Sequence, residues 1–164
     1  MNTEKIAAAV EESGAETAAP ATDEEIARCN EELAGYGLEP LPDEYAAFLK
    51  IYNGFERNGV ELKGVKSEAN GKDSSFNSQN IAKSSNYLLG ELGKDLGSPV
   101  LWLGGAHEGN YLLYDYSRGK YQIRLYTALD KAEREYSSFE EFFYKEVIEG
   151  SRYAPIPSRY DICP

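Results

Sequence analysis

The sequence predicts an α+β domain in which an antiparallel β-sheet is flanked by helices. Three observations predict it. Apolar residues recur at helical spacing up to Tyr52, alternate at strand spacing from Val100 to Thr127, and return to helical spacing after Ser138. No internal repeat runs through the chain. Its 164 residues suit a single domain that buries about two thirds of its unfolded surface and needs no staples.

Residues 1–20 are rich in alanine and glutamate and close at Pro20. They offer little apolar surface, so a flexible tail is expected before a domain spanning 21–164. A first helix opens at Thr22, where Thr22 and Glu25 have capping-box spacing. Ile26, Cys29 and Leu33 form its stripe, and Gly35 ends it. The run "LPDEYAAFLKIYNGFERNG", Leu41 to Gly59, holds the second helix. Pro42 fits its first turn, Asp43 and Glu44 favour the helix dipole, and Tyr45, Phe48, Leu49 and Tyr52 share one face. Asn53-Gly54 stops it, and Asn58-Gly59 predicts a hairpin whose short strands end near Leu62.

Residues 64–80 are polar and turn-rich, which predicts a loop. The stretch "NIAKSSNYLLGEL" predicts a weaker helix held by Ile81, Leu88 and Leu89. Three strands follow: "VLWL", "NYLLYDY" and "KYQIRLYT". With Arg118-Gly119 as a two-residue turn, the pairs Tyr116–Tyr121, Tyr114–Ile123 and Leu112–Leu125 share an apolar face. Asp115–Gln122, Leu113–Arg124 and Tyr111–Tyr126 then share a mixed face that is wet or open to a partner. Glycines 104, 105 and 109 are expected to supply turns. The last helix starts at Ser137 or Ser138 and buries Phe139, Phe142, Phe143 and Val147. Gly150 closes a core of residues 24–150, and 151–164, with three prolines, is expected to lie extended.

Seventeen basic residues against 28 acidic ones give a net charge of −11 and a pI near 4.6. Only Lys5, Glu4, Glu11, Glu12 and Glu16 fall in the first twenty residues, so most of that charge belongs to the body. Such a surface confers solubility and suits a basic protein partner. With no Lys/Arg stripe, direct nucleic-acid binding is not expected. No run approaches the ~20 apolar residues of a membrane span, and no secretory leader is apparent. Cys29 and Cys163 suggest neither a disulfide framework nor a metal spacing, which fits a cytoplasmic protein. His107, the one histidine, lies in "LGGAHEGN", which matches neither a dinucleotide loop nor a P-loop. No cofactor and no metal is expected, and binding is favoured over catalysis. Of 13 tyrosines, Tyr45 and Tyr52 fit the core, while Tyr111 and Tyr126 are candidates for contact.

The run "LPDEYAAFLKIYNG" resembles the Leu-Pro-x-x-(Tyr/Phe)-x-x-Phe-Leu-x-x-x-Asn-Gly signature of the SUKH superfamily of Smi/Knr-type domains. "PVLWLGGAHEGNYLLYDY" is similar to that family's glycine-interrupted strands, and "SSFEEFFYKEV" to its closing helix. The resemblance covers Glu24 to Gly150. It implies the α+β fold named above and, in bacteria, an immunity protein that neutralises a cognate polymorphic or contact-dependent toxin, often a nuclease. The alternative it implies is a regulatory adaptor without a toxin. For a basic protein partner the expected contacts are Asp43, Glu44, Glu108 and Asp115, with Tyr111 and Tyr126 beside them.

Overall fold

The computed structural model describes residues 1–57, 60–65, 68–69, 77–78, 80–106 and 109–149. Residues 1–20, expected as a flexible tail, instead form helix α1 (Thr3–Ser13) and the short strand β1 (Glu16–Thr17). Asn2 caps α1 by accepting the Lys5 N–H at 3.0 Å, and Gly14 ends it in the left-handed region at φ 71°. Ile6 and Val10, one turn apart, are both buried. Low apolar content concealed this, because two side chains at the right spacing anchor a helix once a core receives them.

Helix α2 (Asp23–Gly35) starts as its spacing predicts. The Glu25 N–H donates to Thr22 Oγ1 at 3.1 Å and the Thr22 N–H to Glu25 Oε1 at 3.0 Å. Helix α3 (Asp43–Leu49) buries Tyr45, Phe48 and Leu49. Beyond it, Asn53 is wholly buried and its Oδ1 accepts the Val65 N–H at 2.8 Å. Gly64 backs onto that asparagine: a Cβ there would lie 2.2 Å from the Asn53 carbonyl oxygen. Helix α3 ends at Leu49, with Lys50 as its cap, before it reaches the Asn53-Gly54 pair expected to stop it; Asn53 instead ties two distant loops together.

The main sheet has seven antiparallel strands in the order β1-β2-β3-β6-β7-β8-β9. They are β2 (Phe55–Arg57), β3 (Val60–Leu62), β6 (Val100–Ala106), β7 (Asn110–Asp115), β8 (Lys120–Arg124) and β9 (Arg134–Tyr136). Arg57 pairs with Val60, as the predicted hairpin requires; its turn residues Asn58 and Gly59 lie outside the described residues. Within the stretch expected as a loop, β4 (Glu68–Ala69) pairs with β5 (Asn77–Ser78), and Gly64 bridges Asn80.

One face of the sheet carries the larger core, with α1, α2 and α3. Helix α5 (Phe139–Phe142) joins them and runs on as a π-helix over Phe143–Ile148, where an α-helix was expected. The Phe139 ring lies 5.4 Å from Tyr45, 5.2 Å from Phe48 and 5.6 Å from Tyr121. The opposite face, expected to be wet or open to a partner, is partly covered by helix α4 (Ile81–Leu96). There Leu88 and Leu96 pack on Val100 and Leu113 in a second, smaller core.

The β7–β8 register differs by two residues from expectation: Tyr114 faces Tyr121, and Asp115 faces Lys120. Residues 116–119 form a longer turn, because the Asp115 carbonyl accepts the Gly119 N–H at 2.8 Å and its carboxylate accepts the Ser117 N–H at 2.9 Å. A shift of two keeps every side chain on its predicted face. Gly104 and Gly105 lie inside β6 rather than in a turn. A Cβ at Gly104 would sit 1.7 Å from the Glu61 carbonyl oxygen, so strand contact is what requires glycine there. Gly109, at φ 121°, does take a turn conformation. Residues 150–164, including the expected extended segment and Cys163, lie outside the described residues.

Candidate interaction surface

Of the six sequence-predicted contacts, Asp43 and Glu44 begin α3 beside the end of the β7–β8 hairpin. Asp43 is exposed. Glu44 is half-buried, and its Oε2 accepts the Phe139 N–H at 3.2 Å, so it helps hold the start of α5. Next to them are two tyrosines that sequence reasoning had assigned to the apolar face alone. Tyr114 and Tyr116 are half-buried, their rings edge to face at 5.4 Å, and Tyr114 lies 4.9 Å from Tyr121. The Tyr116 hydroxyl donates to the Glu39 carbonyl at 2.8 Å, which brings Glu39 to the same corner.

The carboxylates act on these rings. Burial, then Glu39 and Glu44, push the Tyr114 phenol above its ordinary pKa. Burial, then Glu44 and, more weakly, Asp43, do the same at Tyr121. The phenols are therefore neutral at physiological pH. Among the described residues, Glu39, Asp43 and Glu44 make no ion pair. A two-residue tyrosine period running past a strand end, where the core thins, is the sequence signal that marks this corner.

Asp115 lies on the other face of the sheet and is buried, which corrects its expected role as a partner contact. Its Oδ1 accepts the Ser117 hydroxyl at 2.7 Å, and its Oδ2 accepts Arg124 Nη2 at 3.1 Å. Arg124 Nη1 donates to the carbonyls of Leu96 at 2.8 Å and Leu129 at 2.9 Å, and Nε donates to Gln122 Oε1 at 3.0 Å. Gln122 Nε2 donates in turn to Glu135 Oε2 at 2.8 Å. Burial lowers the Arg124 pKa, and Asp115 opposes that shift. At the rim, the Arg118 hydrogen bond holds the Glu135 carboxyl down at about 2. A groove of about 680 Å³ opens over this network, yet its floor is satisfied from within. The network serves to join α4, β7, β8 and β9.

Tyr111 is half-buried on the same face, 5.6 Å from Trp102. Tyr126 is half-buried and lines a neighbouring groove of about 440 Å³; its backbone N–H donates to Asn110 Oδ1 at 3.1 Å. Glu108 and His107 lie outside the described residues. Among the described residues, no cluster of His, Cys, Asp and Glu is arranged to hold a metal ion. The buried Cys29 thiol is pushed up to about 12 by burial, with Glu32 adding to it, so it is a poor nucleophile at neutral pH. Among those residues no helix is long and apolar enough to cross a membrane.

The model of the SMI1/KNR4 family (SUKH-1) matches residues 20–145. The chain belongs to the SMI1/KNR4 family. A search of curated proteins found no match. The match takes in α2, α3, the sheet from β2 to β9, and most of the closing helix of this SMI1/KNR4 domain; α1 and β1 lie before it.

Proposed function

We propose that this SMI1/KNR4 protein is a cytoplasmic immunity protein that binds and neutralises a cognate, basic protein toxin without catalysing a reaction. One observation carries the reading: among the described residues Glu39 and Asp43 are exposed at a surface corner with no ion pair, whereas the buried Asp115, Arg124 and Glu146 have partners inside the fold. Negative charge left without a partner beside aromatic rings suits association with a positively charged protein. A nuclease fits that description, because its cleft must be electropositive to hold phosphates. Family membership supports a protein partner, and the net charge of −11 supports its sign.

The test is co-expression with the product of the neighbouring gene, followed by co-purification and a growth assay. The expected result is a stable complex, restored growth, and an association rate that falls as salt rises. A chain that neither binds nor protects would make the regulatory adaptor the better reading.

A further inference from the structure

The corner at the end of β7 and β8 brings an aromatic pair and acidic side chains together. Two half-buried tyrosines, Tyr114 and Tyr116, lie edge to face at 5.4 Å. Glu39 lies near both rings and Asp43 near the adjoining Tyr121; both are exposed carboxylates, and among the described residues no cation pairs with either. The nearest basic groups in the hairpin are engaged elsewhere. Arg118 forks onto Glu135 at 2.8 and 2.6 Å, and Lys120 Nζ donates to the Ser137 hydroxyl at 2.6 Å. The cation–ring contacts of Lys5 over Tyr144 and Lys63 over Trp102 are at other places.

We propose that Tyr114 and Tyr116, with the carboxylates of Glu39 and Asp43, form a seat for an arginine side chain presented by the basic partner. Guanidinium is the cation the chemistry selects. It is planar, stacks on an aromatic face, sheds its hydration more readily than an ammonium, and still offers a fork of N–H groups to carboxylates. The proposal takes its partner from the immunity reading; the side-chain chemistry stands independently of which protein carries it. Tyr116 is held in place by its bond to the Glu39 carbonyl, and Tyr114 by its contact with Tyr121, so the rings are ordered before a ligand arrives.

The experiment titrates the full chain with a short arginine–glycine peptide and with the same peptide carrying citrulline, which keeps the shape and removes the charge. Tyrosine-ring NMR signals report the site. The arginine peptide should shift Tyr114 and Tyr116 at low salt, and the citrulline peptide should leave them unmoved. Tyr114→Leu, which keeps an apolar contact with Tyr121, should weaken peptide binding about two- to fivefold. Glu39→Gln with Asp43→Asn should weaken it and flatten its salt dependence, and a thermal melt checks that each variant folds. If Tyr114→Leu does not fold, the charge variant decides. Peptide shifts confined to other tyrosines, or unchanged affinity in the charge variant, would overturn the seat. Failure of the neighbouring gene product to bind, with the peptide result intact, would overturn the immunity reading alone.

Discussion

Arg124 and Asp115 meet at 3.1 Å, Nη2 to Oδ2, with each side chain only 3% exposed. Removing one partner leaves the other charged and buried, which is the costly way to break such a pair. Asp115→Ala should therefore destabilise the domain by about 3–5 kcal/mol, read from urea denaturation. A double variant, Asp115→Leu with Arg124→Met, should recover much of that loss. Recovery stays incomplete because the Leu96 and Leu129 carbonyls lose their donor.

Glu135 yields a prediction in pH. Its folded pKa, about 2, lies below the ordinary value near 4.3. Its contribution to stability is thus fully present above that ordinary value and is lost as pH falls toward 2. Arg118→Gln should return the Glu135 titration, followed by NMR, toward the ordinary carboxylate range. It should also remove part of the acid sensitivity between those two pH values. An unchanged Glu135 titration would show that Arg118 is not the cause.

Two glycines make opposite forecasts. Gly104→Ala drives a methyl group into the Glu61 carbonyl and should destabilise by about 1–3 kcal/mol or more. Gly90, exposed within α4 with nothing near its missing Cβ, should accept alanine and stabilise by roughly 0.5–1 kcal/mol. Thermal melts of the two variants should move in opposite directions.

Helix α1 is integral to the body. Ile6 is fully buried, so Ile6→Ala should cost about 2–5 kcal/mol, near the ~3–5 kcal/mol expected for Phe48→Ala. Deleting residues 1–14 should lower the urea midpoint clearly. A deletion variant as stable as the full chain would return these residues to the role of a dispensable tail.

The contrast between α1 and α2 explains how much of the fold was legible. Thr22, Glu25 and the Ile26–Cys29–Leu33 stripe are local signals, so they survive without knowledge of the rest. Ile6 and Val10 become meaningful only when a core lies opposite them. The β7 and β8 faces were legible because a two-residue shift conserves parity, whereas the turn length depended on an Asp115 bond that spacing does not reveal. Asp43 was legible as a surface acid at a helix start. Asp115 was not, since a single sequence does not say which sheet face α4 covers, or that Arg124 waits beneath it.

Helix α4 has a consequence for how the protein opens. Where it lies, β6 and β7 are sandwiched between helices on both sides, and Leu101, Leu103, Leu112 and Leu113 are fully buried there. The two-residue strand β1 stands at the edge of the sheet, where among the described strands only β2 pairs with it. Amide protons in the middle strands can then exchange with solvent only when the whole domain unfolds, while those at the rim exchange through local opening. The slowest-exchanging amides should mark β6 and β7, and the Tyr114 corner stands at the end of that rigid slab.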